Sequence, residues 1–363
     1  MPSAPLTPAR AAALRPLLDR LDGALDRAAR VAADPVEFPR ACAAPADAEV
    51  AGLLAVSLAY GRADVFKPVV ARALHAMGPS PARFAEAFAA APDPAAFEGV
   101  VYRFNRPPDL AALVAGIGEL RRRHGGLGAR FAALFREAGG GPEALRPALA
   151  AFAAELREGP HTAALLRGRG LRGLRHLLPD PAGPGASKRW NLYLRWMVRG
   201  PDGVDLGLWP GVPPSALVVP LDTHVHRVAR ALGLTRRKDA SWRTAEEITA
   251  SLRRLDPDDP VRFDFALCHM GMSGLCPARR DPARCEACLL GAACLARARG
   301  AAGRPGAPLT AGCAPAAPRS GSARAGTSSP AHRRASPSAA GAAPGAGRPP
   351  PGGGRSPSPA GRG

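Results

Sequence analysis

Apolar residues recur along most of this chain at the three- and four-residue spacing of one helix face. Thr7 and Pro8 predict the start of a first helix, because a hydroxyl cap followed by proline suits a helix N-terminus. The segment 47–60 is apolar nearly all round, so we expect it at the centre of the core. The same spacing predicts further helices over 64–77, from 80 onward, over 109–124, 127–137 and 143–157, after a Thr244–Glu247 capping box, and over 260–271. No segment alternates as a strand does, and the sequence therefore predicts an all-α fold.

The composition changes near residue 300. Residues 301–363 contain no Asp, Glu, Lys, Val, Ile or aromatic residue, and they consist mainly of Gly, Pro, Ala and Ser with eight arginines. Such a segment cannot bury enough apolar surface to fold. We therefore predict a helical body over 1–300 and a disordered basic tail over 301–363.

The chain is strongly basic, with a net charge of +19, and all but three of its 49 basic residues are arginine. Lys67, Lys188 and Lys238 are the lysines. Without the tail, the body still has 41 basic against 30 acidic residues. A positive field of this size favours polyanionic partners, and nucleic acid is the commonest of these.

The sequence also bears on location. No apolar run approaches the roughly 18 residues that cross a bilayer, so we expect no membrane partner. Asp19, Asp22 and Asp26 lie within the first amphipathic pattern, which excludes the usual signal and transit peptides. A cytoplasmic protein is therefore expected.

Four of the seven cysteines are crowded into the spacing Cys276-x8-Cys285-x2-Cys288-x5-Cys294. In a reducing compartment, such a cluster indicates metal ligands rather than disulfides. Four thiolates on short connected loops can surround either zinc or an iron–sulfur cluster, and the spacing does not separate the two.

Several stretches resemble the second half of endonuclease III-type DNA glycosylases, which belong to the helix-hairpin-helix superfamily. They are LDTHVHRVARALGL, a later buried helix that ends in His-Met-Gly, and the four cysteines that close with C-x2-C-x5-C. VAGLLAVSLAYGRADV resembles the buried helix and the DNA-facing loop of the same proteins. Over roughly residues 1–300, the closer match is to an uncharacterised bacterial family distantly related to them, of which SKRWNLYLRWMVR, LVVPLDTHVHR and FDFALCHMGMSGLCP are typical.

The resemblance implies a glycosylase-like fold of two helical subdomains with a C-terminal four-cysteine loop over 276–294. It implies that the cysteines bind a [4Fe-4S] cluster, with structural zinc as the alternative. It further implies a monomer that binds damaged double-stranded DNA, is nucleoid-associated when bound, and excises the damaged base.

Asp222 is the candidate catalytic acid, because it matches the aspartate that opens the helix in V-D-T-H of the glycosylases. Cleavage of a glycosidic bond builds positive charge on the sugar, and a fixed carboxylate beside C1′ stabilises that charge. Aspartate is also a favoured helix N-cap, so a purely structural role is the alternative. His224 and His226 are two residues apart, which on a helix points them about 200° apart, and a shared metal ion is not expected.

Lys188 is the candidate lyase nucleophile, because it stands where the superfamily places a hairpin and its lysine. A lysine amine can form a Schiff base with the sugar, whereas arginine stays protonated. A surface or phosphate-binding lysine is the alternative. The hairpin glycines would correspond to Gly183 and Gly185, whose backbone N–H groups the family directs at a DNA phosphate.

Further residues are candidates for DNA contact. They are Tyr60, as a wedge into the stack left by a flipped base, and Arg62, Arg189 and Arg195 as cations. The alternative for Tyr60 is that it only ends a buried helix. The resemblance thus implies a base-excision glycosylase, to which Lys188 as nucleophile would add AP-lyase activity. The alternative is a non-catalytic nucleic-acid-binding protein that retains the fold.

Overall fold

The computed structural model describes residues 5–279 and 281–297, and the predicted tail over 301–363 lies outside these residues. Every regular element in the described part is a helix, and the only β pairing there consists of isolated bridges. The α-helices are α1 (Pro8–Gly23), α2 (Arg27–Ala33), α3 (Glu37–Arg40), α4 (Pro45–Leu58), α5 (Ala63–Ala76), α6 (Pro81–Phe88), α7 (Pro107–His124), α8 (Leu127–Glu137), α9 (Leu145–Arg157), α10 (Thr162–Leu165), α11 (Arg172–Leu177), α12 (Lys188–Val198), α13 (Thr223–Leu232), α14 (Trp242–Arg253), α15 (Asp264–Met272) and α16 (Pro282–Glu286). The all-α prediction is confirmed.

The helix ends follow local capping chemistry. Thr7 caps α1, since its hydroxyl accepts a hydrogen bond from the backbone N–H of Arg10, as the sequence predicted. The predicted Thr244–Glu247 capping box is wrong. Ser241 caps α14 instead, and Glu247 accepts hydrogen bonds from the hydroxyl of Thr235 and the N–H of Arg236.

The core is built around α4 and α7. Ten of the 14 residues of α4 are buried, as its all-apolar pattern predicted, and the helix packs on α3, α5, α6 and α12. α7 approaches its neighbours so closely that a methyl group at Gly118 would lie 1.8 Å from the carbonyl oxygen of Ala85 in α6. At Gly116, a methyl group would lie 2.3 Å from the carbonyl oxygen of Leu156 in α9. Glycine at both positions therefore permits the close packing of three helices.

A buried ionic network fixes α12 against α15. Nη1 of Arg195 lies 2.5 Å from Oδ2 of Asp264, and its Nε lies 3.2 Å from Oδ1 of Asp205. Arg195 is only 2% exposed, so its predicted contact with DNA is wrong. Trp190 and Trp196 of the same helix are buried as well, in agreement with the amphipathic pattern of α12.

None of the helices in the described residues is both long and apolar enough to cross a membrane.

Candidate functional site

The two candidate catalytic residues meet in space. Lys188 is the first residue of α12, and Asp222 caps the N-terminus of α13. Nζ of Lys188 lies 3.3 Å from Oδ2 of Asp222, although the two residues are 34 positions apart in the sequence. The fold therefore brings an amine and a carboxylate together at the starts of two helices.

The two oxygens of Asp222 have different partners. Oδ1 accepts hydrogen bonds from the backbone N–H groups of His224 and Val225, at 2.9 and 2.8 Å. Oδ2 faces Lys188 and also lies 3.8 Å from Sγ of Cys268 on α15. Asp222 is thus a helix cap through one oxygen, and it presents the other oxygen to the amine.

The charges of the pair support one another. Desolvation acts to raise the pKa of the Asp222 carboxyl, but Lys188 and the N–H of Val225 outweigh it and hold that pKa below its usual value. Desolvation likewise acts to lower the pKa of Lys188, and the attraction of Asp222 outweighs it, so the net pKa is raised. At neutral pH the resting site is therefore an ammonium–carboxylate pair.

The sequence assigned no site role to two residues beside the pair. Cys268 contacts both Asp222 and the sulfur of Met272. Burial raises the pKa of the Cys268 thiol well above its usual value, so the thiol stays protonated at neutral pH. The next residue, His269, places Nε2 3.9 Å from Oδ2 of Asp34. Only the packing of α15 reveals these neighbours.

The two histidines of α13 do not form a pair. Nε2 of His226 lies 3.1 Å from the carbonyl oxygen of Arg237, and Nδ1 of His224 lies 3.4 Å from Nη2 of Arg227. The two rings therefore have separate partners, as the helical spacing indicated.

The predicted hairpin is the loop between α11 and α12. Three of its carbonyl groups face the guanidinium of Arg146, whose Nε donates to the carbonyl of Pro181 and whose Nη2 donates to those of Ala182 and Gly183. The N–H of Gly183 donates to the carbonyl of Asp180 within a turn, at 3.1 Å. Gly185 is exposed and forms an isolated bridge with Ser241.

The candidate DNA-contacting side chains lie in two environments. Arg62 is 81% exposed and pairs with Asp64. Arg189 donates to the backbone carbonyls of Ser57, Leu177 and His176, and burial lowers its pKa to about 10. The guanidinium of Arg189 thus holds backbone segments together rather than standing free at the surface.

Tyr60 is half-buried beside Arg189. Its hydroxyl donates to Oδ1 of Asn105 at 2.5 Å, and the guanidinium of Arg189 lies 5.6 Å from its ring centre. Its ring is also packed against the rings of Tyr102 and His176. Tyr60 is therefore part of an aromatic cluster and does not project singly as a wedge.

The four clustered cysteines line one cavity of about 990 Å³. Arg227 closes one side of it, since its Nε donates to the carbonyl of Cys276. Nη2 of Arg10 donates to the carbonyls of Leu232 and Ala293 and so ties the cysteine segment to α1 and α13. The cavity lies at the cysteines, and its lining does not include Lys188 or Asp222.

The cysteines fit a metal group by donor type. All four are free thiols that are partly buried, and they share one cavity. Among the described residues, however, no three His, Cys, Asp or Glu side chains are grouped closely enough to hold a single metal ion. Thiolates are ligands that both zinc and iron–sulfur clusters take.

Residues 34–273 match the family described as "Protein of unknown function (DUF2400)". No curated protein and no solved structure matched the chain. The matched segment includes Lys188, Asp222 and Cys268, and it ends before the first of the four clustered cysteines. Because that segment covers more than half of the chain, this protein belongs to the DUF2400 family.

Proposed function

We propose that this protein binds duplex DNA and excises a damaged base by cleaving its N-glycosidic bond, with AP-lyase activity at the same site. The observation that carries the proposal is the approach of Lys188 to Asp222, within 3.3 Å at the starts of α12 and α13. The sequence resemblance assigns these two positions to the nucleophile and the acid of one reaction. The basic body supplies the charge that such a partner requires.

Asp222 acts on the sugar through Oδ2. Its Oδ1 is fixed by two backbone N–H groups, so the carboxylate cannot rotate away. A fixed anion beside C1′ stabilises the positive charge that develops as the glycosidic bond breaks. Its lowered pKa keeps it ionised at neutral pH, as this role requires.

Lys188 supplies the amine. Because its pKa is raised, it must first lose a proton, and Oδ2 of Asp222 is within reach to accept that proton. The neutral amine then forms a bond to C1′ while the C1′–N bond to the base breaks, and the departing base takes the proton from Asp222, which is again an anion beside C1′. One of the two protons on the bonded amine then passes to the ring oxygen as the bond from C1′ to that oxygen breaks, and this leaves the protonated Schiff base from which strand cleavage proceeds.

We further propose that the chain has the helix-hairpin-helix glycosylase arrangement of two helical subdomains. In it, the loop between α11 and α12 would be the hairpin that meets a DNA phosphate. Cys276, Cys285, Cys288 and Cys294 would hold a [4Fe-4S] cluster, which supplies a cross-link between short loops. Their shared cavity supports a common metal group, and the resemblance favours the cluster over the alternative of structural zinc.

A non-catalytic nucleic-acid-binding protein is the second candidate. It is favoured by the raised pKa of Lys188, because a stable ammonium is a phosphate ligand rather than a nucleophile. Arg146 also constrains the hairpin loop, because its guanidinium binds the carbonyls of Pro181 and Gly183.

Base release from a panel of duplexes, each with one damaged base, tests the enzymatic proposal. We expect release from at least one duplex by the wild type and a loss of about 100-fold or more in Asp222→Asn. Release by neither protein, together with duplex binding, would favour the second candidate. Release that is equal in both would refute the role of Asp222.

A further inference from the structure

An aromatic platform lies at the surface beside the start of α12. We define it as Phe104, His176 and Tyr60. The ring of Phe104 meets that of His176 edge to face at 4.5 Å, and it lies nearly parallel to that of Tyr60 at 6.2 Å. Phe104 is 42% exposed, so the outer part of this layered stack faces solvent. An aromatic surface of this kind is a docking face for another flat ring.

The platform is held rigidly. Phe104 is at the tip of a tight turn that is closed by two backbone hydrogen bonds between Tyr102 and Asn105, and Nδ2 of Asn105 donates to the carbonyl of Gly173. A methyl group at Gly173 would lie 2.2 Å from Oδ1 of Asp109. Only glycine therefore lets the neighbouring segment approach the turn this closely.

That neighbouring segment is an arginine–glycine segment, residues 167–175, with the sequence RGRGLRGLR. All four of its arginines are exposed, namely Arg167, Arg169, Arg172 and Arg175. Arg169 approaches Asp109 at 3.7 Å, and no carboxylate of the described residues pairs with the other three. The guanidinium of Arg172 lies 6.0 Å from the ring centre of Phe104. One of these four exposed cations thus borders the exposed ring directly.

His176 adds a polar feature without adding charge. Desolvation, Arg189 and Arg103 lower its pKa to about 4, so the ring is neutral at physiological pH. Its Nδ1 is buried, and none of the described residues offers it a hydrogen bond. The platform therefore combines aromatic faces, an unused ring nitrogen and nearby guanidinium groups.

This combination fits an unpaired nucleotide better than a duplex. The faces of paired bases are covered by their neighbours, whereas a single strand exposes them for stacking on a side chain. Phe104 is packed on His176 and Tyr60, so it offers a flat supported surface rather than a projecting wedge. Arg172 lies beside the ring, where a phosphate that flanks a stacked base would pass, and Arg175 follows it in the same short helix.

We propose that the aromatic platform and the arginine–glycine segment form a binding site for single-stranded nucleic acid. One unpaired base stacks on Phe104, and Arg172 and Arg175 bind the adjacent phosphates. The choice of nucleic acid as partner rests on the proposed function. The site itself is separate from the Lys188–Asp222 pair, with Arg189 in contact with Tyr60 between them.

Fluorescence anisotropy with a labelled oligothymidylate of about 12 nucleotides tests the site, with a blunt hairpin duplex as the second probe. We expect Phe104→Leu to weaken oligothymidylate binding about tenfold, the effect of losing one stacked base, and Phe104→Tyr to keep it within about twofold. Neither variant should change hairpin binding. In the double variant Arg172→Ala and Arg175→Ala, the plot of log binding constant against log salt concentration should become shallower. Its slope should decrease in magnitude by about 0.7 for each phosphate contact that is lost.

Arg83→Ala is the matched control, since Arg83 is an exposed arginine on α6, a different helix from the platform. Oligothymidylate binding that is unchanged in Phe104→Leu would overturn the proposal. Equal losses for the hairpin and the single strand would also overturn it, because they would place the ring inside the duplex stack. Base release, measured on the same variants, is independent. Its absence would refute the enzymatic function while leaving a Phe104-dependent single-strand site intact.

Discussion

Nη1 of Arg195 on α12 lies 2.5 Å from Oδ2 of Asp264 on α15, and both side chains are 2% exposed. The pair sets the position of α12, which begins at Lys188, relative to α15, which carries Cys268 one turn beyond Asp264. A buried ion pair is weak evidence for net stability, but removal of one partner leaves a buried charge uncompensated. This contact therefore maintains the geometry of the candidate site.

Asp264→Asn should lower the free energy of unfolding by about 3 kcal/mol, because Arg195 would lose one of its two buried carboxylates. Asp202→Asn is the matched control. Asp202 also pairs with an arginine, Arg199, but it is 32% exposed, and its loss should cost about 1 kcal/mol or less. Urea denaturation measures both values. Equal losses would contradict a special role for the buried pair.

The cap and the chemistry of Asp222 can be separated. Asp222→Ser keeps an oxygen for the N–H groups of His224 and Val225, so its stability should stay within about 1 kcal/mol of wild type. Asp222→Ala loses the cap and should be destabilised by about 1–2 kcal/mol. Both variants should lose base release to a similar extent. Activity that followed stability across the two variants would instead indicate a structural role alone.

Covalent trapping of the Schiff base with borohydride should depend on pH through Lys188. A raised pKa means that the reactive neutral amine is scarce at neutral pH, so the trapping rate should increase as pH rises toward that pKa. In Asp222→Asn, the main attraction that opposes the desolvation of Lys188 is lost, so the pKa of the amine should fall and the rise should move to lower pH. Lys188→Arg should give no trapped complex. A profile with the same midpoint in wild type and Asp222→Asn would show that the ion pair does not control the amine.

His269 should make the fold sensitive to acid. Desolvation, together with Arg30 and Arg195, lowers its pKa to about 4. In the unfolded chain it would bind a proton near pH 6.5, so stability should be constant above that pH and decrease as pH falls toward 4. His269 accounts for at most about 3 kcal/mol of this decrease in the free energy of unfolding. Comparison of wild type with His269→Gln by denaturation across this range isolates it, and parallel curves would contradict the prediction.

Metal content should depend on the four clustered cysteines. We expect the purified protein to contain iron and sulfide and to absorb visible light, and we expect Cys288→Ser to lose most of both signals. Cys42→Ser is the control, because Cys42 follows α3, and its thiol contacts the carbonyl of Phe38 rather than the cavity. Elemental analysis and an absorption spectrum decide the matter. A colourless protein loaded with zinc would contradict the cluster.

The sequence predicted best what depends on local periodicity. The prediction of α8 over 127–137 matches its observed bounds, and the buried position of α4 follows from its composition alone. Arg195 was misplaced because its partners Asp205 and Asp264 are 10 and 69 residues away, so no local pattern shows that they surround it.

In the candidate site, too, local features were predictable and contacts between distant segments were not. Asp222 was predictable as a helix cap, because the cap is made with the next three residues. Its distance from Lys188 depends on how the long connection between α12 and α13 folds, which periodicity does not encode. Cys268 and His269 lie in stretches that carry the resemblance, but no local pattern predicts their partners. Cys268 meets Asp222 only where α15 packs against α13, and His269 meets Asp34 at the end of α2.

The contacts of Arg10 join two pieces of chain that both lie outside the segment 34–273 matched to the family. Arg10 belongs to the N-terminal helix, and the carbonyl of Ala293 that it binds belongs to the cysteine segment. The same nitrogen of Arg10 also binds the carbonyl of Leu232 at the end of α13, so one guanidinium anchors the cysteine segment to the helical body. Removal of the N-terminal helix would therefore release the cysteine segment from this anchor.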